Sequence, residues 1–358
     1  MAKSTKNITV LPGDGIGPEI VSEAQKVLAA VAGKYDVEFN YTEGLIGAVA
    51  IDATGSALPE DTIAACQSAD AVILGAVGDP RFDNDPKAKV RPEQGLLAIR
   101  KALGLFCNIR PIRTFDALLD QAPIKADRLQ GVDFVIYREL TGGIYFGEKG
   151  TIGEDKAFDN CVYERSEIER IAHLAFEAAT KRCNKLTLVD KANVLETSRL
   201  WRKVVQELSA QYPSVEVDYL FVDNAAMQVI LNPAQFDVVL TENMFGDIIS
   251  DEASIISGSL GMLPSASVGT GSSLFEPIHG SYPQAAGKNI ANPMATILSV
   301  AMMLDHLDLP EAAKDVRKAV DDALNSGFAT IDVNKDEPQS TSAVGDRIAD
   351  LISAEVSA

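Results

Sequence analysis

Two aspartates four residues apart form the most informative pattern in the sequence. Asp247 and Asp251 follow a predicted strand that ends near residue 241, and their spacing places both carboxylates on one face of a helix. Like charges at this spacing destabilise a helix unless a positive charge lies between them, and carboxylate oxygens suit Mg²⁺ or Mn²⁺. A third acid, Asp223, follows the strand predicted at 217–222, at the carboxyl end where open α/β sheets place their ligands. The pattern indicates a divalent metal site, and a solvated acidic face is the alternative interpretation.

A group of arginines indicates an anionic substrate. Its members are Arg100, Arg110, Arg113 and Arg138. Arg138 follows the strand predicted at 134–137, and guanidinium groups bind carboxylates through two parallel hydrogen bonds. Several of them in a protein of net charge −19 would form a local pocket for a dianion. The alternative for each arginine is a solvated surface side chain, and we assign Arg113 to that class.

Lys191 and Tyr145 are candidates for proton transfer. Lys191 follows the strand predicted at 186–189, and a lysine beside a metal and arginines has its charged form disfavoured, so that it could act as a general base. Tyr145 lies among glycines in the segment 142–147 and is a candidate acid. Taken singly, a surface lysine and a packed tyrosine are the alternative interpretations.

Two glycine-rich segments are candidates for nucleotide binding. Residues 13–17 (GDGIG) follow a predicted strand but do not match the dinucleotide fingerprint, because the third glycine comes one residue early and Pro18 follows directly. The segment 276–293 contains His279 and Asn292 and precedes a predicted helix, so it offers a different nucleotide-binding mode. For His279, a loop histidine bonded to the backbone is the alternative.

These residues need a scaffold, and the sequence predicts an α/β protein with a largely parallel sheet. The 358 residues are enough for two packed lobes. Short apolar runs predict strands at 8–11, 71–74, 134–137, 186–189, 217–222 and 238–241. Helices are predicted at 19–31, 95–103 and 344–356 and after a capping box at Ser166–Glu169, with a polar loop at 79–92 and a strand or loop within 331–345.

Composition limits the function classes. The chain has 32 Lys and Arg against 51 Asp and Glu, and a surface of this sign repels nucleic acid and anionic membranes. Four cysteines without a CxxC spacing and three scattered histidines indicate reduced thiols rather than a disulfide framework or a histidine metal site. With neither a signal peptide nor a bilayer-spanning stretch in the sequence, we expect a cytoplasmic protein.

Three motifs together resemble one known family. They are residues 11–19 (LPGDGIGPE), 243–262 (NMFGDIISDEASIISGSLGM) and 275–293. Their combination is similar to the β-decarboxylating dehydrogenases of the isocitrate/isopropylmalate dehydrogenase family. The resemblance implies a two-domain α/β fold that is not a GxGxxG Rossmann fold. In it, residues 1–105 and 258–358 would form the cofactor domain, and residues 106–257 would carry the dimer interface and the metal and substrate residues.

The resemblance also implies a role for each candidate residue. Substrate carboxylates would be held by Arg100, Arg110 and Arg138. The metal ion, Mg²⁺ or Mn²⁺, would be held by Asp223, Asp247 and Asp251. The metal ion would in turn bind the substrate. Lys191 would relay the proton of the substrate hydroxyl, and Tyr145 would protonate the enolate. Lys191 and Asp223 would reach the site from the second subunit of a homodimer.

A cofactor site is implied in the same way. NAD⁺ would lie along residues 79–93 and 280–292. The implied cofactor residues are Asp79, Glu93, His279, Gly280, Ser281, Gln284, Gly287 and Asn292. Gln284 stands where many NAD-dependent members have an acid that repels a 2′-phosphate. Since neither Lys nor Arg takes its place, we keep NAD⁺ as the prediction.

The segments 91–100 and 107–111 resemble the members of the family that act on 3-isopropylmalate. They imply oxidative decarboxylation of this 2-hydroxy dicarboxylate to 2-oxo-4-methylpentanoate, a step of leucine biosynthesis. Leu96 and Leu97 would form an apolar pocket for the isopropyl group, where isocitrate-specific relatives have Ser and Asn. The alternatives are a dehydrogenase of isocitrate, homoisocitrate, tartrate or malate, and a non-catalytic regulatory subunit.

Overall fold

The chain separates into two compact units. The computed structural model describes residues 4–83 and 88–354. Unit 1 is formed by the chain up to residue 105, by residues 115–118 and by the chain from residue 259 onward. Unit 2 is formed by residues 106–114 and 119–258.

Strands and helices alternate along the described chain. The strands are β1 Ser4–Gly13, β2 Val37–Glu43, β3 Ala71–Ala76, β4 Leu105–Arg113, β5 Asp133–Glu139, β6 Lys149–Ile152, β7 Lys156–Asp159, β8 Lys185–Asp190, β9 Glu216–Phe221, β10 Val238–Thr241, β11 Pro264–Gly269 and β12 Ser273–Pro277. The helices are α1 Gly17–Lys34, α2 Ala48–Thr54, α3 Glu60–Ser68, α4 Pro80–Asp83, α5 Pro92–Ala102, α6 Ala126–Leu129, α7 Arg165–Thr180, α8 Glu196–Ser209, α9 Val222–Leu231, α10 Asn243–Ser254, α11 Met294–His306, α12 Pro310–Asn325 and α13 Thr341–Ala354.

Unit 1 is built on the strand order β2-β1-β3-β12-β11. Neighbouring strands are parallel except for the antiparallel pair β11–β12. Every residue of β3 is buried, as expected of a strand covered on both faces. Helix α1 packs against α13, and the apolar helix α11 packs against β11 and β12. The glycine-rich segment 13–17 joins β1, which is buried at residues 8–11, to helix α1.

Unit 2 is built on the strand order β4-β5-β10-β8-β9. The pair β4–β5 is antiparallel and the others are parallel. Thr241 of β10 lies opposite Arg138 on β5 and Val189 on β8, so the carboxyl ends of three strands meet at one edge. Helices α7 and α8 cover the sheet with Phe176 and Trp201, both fully buried. This edge positions the residues that follow β5, β8 and β10.

The predicted α/β fold with a largely parallel sheet is confirmed, with differences in detail. The antiparallel pairs β4–β5 and β11–β12, and the separate antiparallel pair β6–β7, were not part of the prediction. The capping box predicted at Ser166–Glu169 is wrong, because the N-cap of α7 is Glu164. The Glu164 carbonyl accepts the Glu167 N–H at 3.1 Å, and the Glu167 carboxylate accepts the Glu164 N–H at 2.8 Å. Val222, predicted as the last residue of a strand, opens α9.

Some predicted segments lie partly outside the described residues. They are residues 84–87, which belong to the predicted loop 79–92, and residues 355–356, which belong to the predicted last helix. In the described chain, 331–345 contains no strand, and α13 begins at Thr341. Among the helices of 4–83 and 88–354, none has the length and hydrophobicity that a bilayer crossing requires.

Candidate active site

Arg138 lies across the first turn of α10. It is 5% exposed at the carboxyl end of β5. Its Nε donates to the carbonyl of Asn243 at 3.0 Å, its Nη2 to Asn243 Oδ1 at 2.9 Å, and its Nη1 to Asp247 Oδ1. This close approach requires Gly246, since a Cβ there would lie 2.6 Å from Arg138 Cγ. The guanidinium is thereby held at the start of the helix that carries both predicted metal-binding aspartates.

Arg110 brings a second guanidinium to the same helix. Its Nε donates to Asn108 Oδ1 at 2.7 Å, and its Nη1 donates to Ser250 Oγ at 2.6 Å and to Asp251 Oδ1 at 3.0 Å. Its Nη2 lies 4.0 Å from Asp247 Oδ1. Two arginines from adjacent antiparallel strands thus face the two acids of α10. Sequence reasoning assigns no role to Ser250, although it lies within the motif 243–262.

The positive charge between Asp247 and Asp251 comes from these guanidinium groups in the isolated chain. The side chain of Asp251 is 70% exposed and that of Asp247 34% exposed, so both keep oxygen atoms open to a ligand. Exposed carboxylate oxygens on one helical face are the donor set that Mg²⁺ or Mn²⁺ uses. The described part of one chain contains no group of three or more His, Cys, Asp or Glu side chains that could hold a metal ion. One chain therefore does not unite Asp223 with Asp247 and Asp251.

Tyr145 contacts the same pair of acids. It ends a 3₁₀ turn, Gly143–Tyr145, in which Gly143 has a φ of +74° and lies against the hydroxyl of buried Tyr163. The Tyr145 hydroxyl donates to Asp247 Oδ2 at 3.1 Å. Partial burial and the negative charge of Asp247 raise the pKa of Tyr145. The phenol therefore keeps its proton, as a proton donor must.

Lys191 and Asp223 pair with each other. Lys191 follows β8, and its Nζ lies 2.7 Å from Asp223 Oδ2 in the first turn of α9. The lysine lowers the pKa of Asp223, chiefly through this hydrogen bond. Ser198 Oγ accepts the Lys191 backbone N–H at 3.0 Å and fixes the start of this loop. The two residues predicted to act together are adjacent.

Three buried acids lie beneath this region, and sequence reasoning missed them. Glu139, Asp190 and Glu242 are 0%, 2% and 4% exposed. Glu139 accepts from the Thr141 and Gly142 amides, and Asp190 accepts from Nε and Nη2 of Arg202. Glu242 Oε2 has no hydrogen-bond partner in the described chain, and burial raises the pKa of Glu242 to about 7. In a chain with many acidic residues, the sequence does not show which of them are buried.

Arg100 and the two predicted substrate-pocket leucines belong to unit 1. Arg100 Nη2 lies 3.0 Å from Glu276 Oε1, and Arg100 Nε is buried without a partner among the described residues. Leu97 is 51% exposed, whereas Leu96 packs partly against the core of the unit. An unpaired guanidinium nitrogen and an exposed leucine on one helix fit a ligand with both charged and apolar groups.

A cavity of about 420 Å³ lies in unit 1 where the second glycine-rich segment was predicted to bind a cofactor. Its lining includes His279, Gly280, Asn292, Ile16, Tyr282 and Asp332. Burial lowers the pKa of His279, so the imidazole is neutral, and its buried Nε2 has no partner within the described ranges. A mostly apolar cavity with one unsatisfied ring nitrogen fits a heteroaromatic ring that offers a hydrogen-bonding edge.

The other predicted cofactor residues lie outside this lining. Glu93 and Ser281 both lie near Gly78, which precedes Asp79; a Cβ on Gly78 would be 3.3 Å from Glu93 Oε1 and 3.5 Å from Ser281 Oγ. Asp79 pairs with Arg81 at 2.9 Å. Gln284 is exposed in a 3₁₀ turn, and the Gly287 N–H donates to the Glu19 carboxylate.

Known proteins are similar to this chain over nearly its whole length. Residues 7–348 match the family model described as isocitrate/isopropylmalate dehydrogenase. A protein of Bacteroides fragilis named 3-isopropylmalate dehydrogenase is 55% identical over 347 residues, which cover 96% of this chain and 98% of that protein. Its counterpart of the same name in Bacillus subtilis is 52% identical, covering 98% of both chains.

Solved structures show the same fold. The crystal structure of isocitrate dehydrogenase from Methylococcus capsulatus superimposes with a TM-score of 0.85 at 34% identity, covering 97% of this chain and 99% of that one. An apo β-decarboxylating dehydrogenase from Thermococcus kodakarensis gives a TM-score of 0.82 at 37% identity, covering 98% and 97%. The chain belongs to the isocitrate/isopropylmalate dehydrogenase family.

Proposed function

We propose that the protein oxidises and decarboxylates 3-isopropylmalate to 2-oxo-4-methylpentanoate with reduction of NAD⁺, as a step of leucine biosynthesis. The observation that carries this proposal is the face of α10, where Arg110 and Arg138 meet Asp247, Asp251 and Tyr145. This set can hold a dicarboxylate, offer ligands to a cation and deliver a proton. Relatives named 3-isopropylmalate dehydrogenase, which are 52–55% identical over nearly the whole chain, support the choice of substrate.

The residues divide the reaction between them. Arg110 and Arg138 bind the two carboxylates, which positions the hydroxyl-bearing carbon. Lys191, in its neutral amine form, accepts the hydroxyl proton as the hydride leaves that carbon, and Tyr145 donates a proton to the carbon that has lost CO₂. NAD⁺, when bound, would serve as the hydride acceptor, and a divalent cation held by Asp223, Asp247 and Asp251 would polarise the oxygens of the substrate.

An exchange of partners accompanies substrate binding in this proposal. In the isolated chain, the carboxylates of α10 neutralise the two arginines. A dianionic substrate competes for the guanidinium groups and leaves the carboxylates free for a cation. Both sets of charges then stay compensated, which avoids the cost of a buried unpaired charge.

We propose that the active form is a homodimer in which Lys191 and Asp223 serve the neighbouring subunit. The side chains of Met227 and Leu231 on α9 and Ile248 on α10 are 56%, 52% and 58% exposed, and the two helices pack side by side. Such an apolar face on a protein rich in charged residues fits a second copy of the chain. A second copy would also provide the third metal-binding acid, which one chain does not bring near the other two.

Subunit mixing tests this arrangement. Lys191→Met and Asp247→Asn should each be inactive alone. If Lys191 acts across the interface, a mixed dimer regains one intact site, and an equal mixture recovers about a quarter of wild-type activity. If both residues act within one subunit, no mixture recovers activity, and the shared-site proposal fails.

The remaining assignments are proposals of the same kind. Unit 1 would be the cofactor domain, with NAD⁺ at the cavity beside His279 and Asn292, and unit 2 the substrate and metal domain. Arg100 would hold a substrate carboxylate, and Leu96 and Leu97 would receive the isopropyl group, whose burial contributes about 1.5–3 kcal/mol. Four free cysteines support a cytoplasmic, reducing location.

A substrate panel is the decisive experiment. NADH or NADPH formation is measured with 3-isopropylmalate, isocitrate, homoisocitrate, malate and tartrate, each with Mg²⁺ and with either NAD⁺ or NADP⁺. The expected result is the highest kcat/KM with 3-isopropylmalate and NAD⁺. A higher value with isocitrate refutes the proposed substrate. Activity that appears only when a second, different chain is added would indicate a regulatory subunit.

A further inference from the structure

The motif at residues 13–19 contacts the predicted cofactor segment instead of forming a dinucleotide fingerprint. The Ile16 N–H donates to the Ser281 carbonyl at 2.8 Å. In the first turn of α1, the Glu19 carboxylate accepts the backbone N–H of Gly287 and, at 3.1 Å, that of Asn289. A carboxylate here also interacts favourably with the positive end of α1.

The segment that Glu19 binds is exposed and lies between buried anchors. Residues 286–290 are exposed, whereas Ala285 and Ala291 are buried and pack against Ile16 and Ile20. Asn289 has a φ of +55°, a conformation that non-glycine residues rarely adopt. Its carbonyl accepts the Thr341 N–H at 3.0 Å, so α13 holds the segment from the other side. Ile290, Ala291 and Asn292 then form part of the cavity wall.

We propose that Glu19 is a positioning residue for the dinucleotide. Its carboxylate ties residues 287–289 to α1, so that the wall formed by Ile290, Ala291 and Asn292 has its binding shape before the cofactor arrives. Hydrogen bonds to a carboxylate are roughly twice as strong as neutral ones, which suits an exposed segment that water would otherwise solvate. Preorganisation of this kind improves affinity without any contact between Glu19 and the cofactor. The inference rests on the proposed function.

The test compares Glu19→Ala and Glu19→Gln with a matched control. Glu311 also directly follows a proline in the first turn of its helix, α12, and it is exposed. Glu19→Ala should raise the Kd for NAD⁺, measured by titration calorimetry, and the KM for NAD⁺ by roughly tenfold, the equivalent of about 1.4 kcal/mol. The kcat at saturating NAD⁺ should not change. The Kd and KM of Glu19→Gln for NAD⁺ should lie between those of the wild type and Glu19→Ala, because its amide oxygen still accepts a neutral hydrogen bond. Glu311→Ala should behave like the wild type.

Hydrogen exchange provides a readout that needs no cofactor. In Glu19→Ala, the amides of Gly287 and Asn289 should exchange faster, while those of the α1 interior keep their wild-type rates. Faster exchange with an unchanged Kd for NAD⁺ overturns the inference, and so does unchanged exchange. If the wild-type protein binds neither NAD⁺ nor NADP⁺, the proposed function fails first, which the calorimetry of the wild type reveals separately.

Discussion

Replacement of Glu242 by glutamine should change how stability depends on pH. Glu242 is 4% exposed at the start of α10, and its Oε2 has no partner in the part of the chain that the structure describes. Burial, with smaller contributions from the charges of Glu139 and Asp190, raises its pKa to about 7 from the ordinary value of 4.5. Glutamine keeps the size of the side chain and is neutral at every pH.

The sign and size of the effect follow from this shift. The folded state binds the Glu242 proton more tightly than the unfolded state, so ionisation opposes folding. The cost is absent below the unfolded pKa, grows between about pH 4.5 and about pH 7, and is complete above the folded pKa. The difference between a folded pKa of about 7 and the ordinary pKa of 4.5 corresponds to about 3 kcal/mol. The free energy of unfolding of Glu242→Gln, taken relative to that of the wild type, should therefore be up to about 3 kcal/mol higher in alkaline than in acid solution.

Urea unfolding followed by circular dichroism measures this difference at fixed protein concentration. The free energy of unfolding of wild type and Glu242→Gln is compared at about pH 5 and about pH 8. Glu38→Gln, which removes an exposed acid from β2, is the control for the loss of one negative charge. A gap between Glu242→Gln and wild type that does not widen with pH would refute the buried, proton-binding role of Glu242.

Three further outcomes are expected. Lys191→Met should lower kcat by roughly 10²–10⁴-fold through loss of the proton acceptor while the Kd for NAD⁺ stays unchanged; an unchanged kcat would contradict its role. Asp247→Asn should weaken Mn²⁺ binding in a spectroscopic titration by at least roughly tenfold, and wild-type affinity for Mn²⁺ would exclude it as a ligand. In Gly246→Ala the new Cβ lies 2.6 Å from Arg138 Cγ, so unfolding should become easier by about 1–3 kcal/mol and the KM for substrate should rise. A Gly246→Ala protein with wild-type stability and KM would show that Arg138 can move without loss.

The residues that carry the proposed chemistry could be predicted from the sequence because their signals are local. Asp247 and Asp251 share a helical face through their spacing alone, and the helix that carries them forms as expected. Arg138 lies at the carboxyl end of a strand and Lys191 directly after one, and the apolar runs of both strands are recognisable in the sequence. The resemblance of the motifs to a family then joined these separate signals.

Partners and burial could not be predicted, because they depend on which segments the fold brings together. The two arginines were expected to bind a substrate, and in the isolated chain they bind the acids of α10. Nothing near Glu242 in the sequence shows that it lies beside Glu139 and Asp190, which come from other strands.

The sequence by itself determined the alternation of strands and helices, the acidic pair, the arginines and the proton-transfer candidates, since each depends on residue type and short-range periodicity. Only the tertiary structure decided that the segment 13–19 holds the loop at 287–289 and that a carboxyl group with a pKa of about 7 is buried at the start of the helix that carries the proposed metal-binding acids. The physical reason is that desolvation and hydrogen bonding act between atoms close in space, whereas the residues concerned are up to about 270 positions apart along the chain.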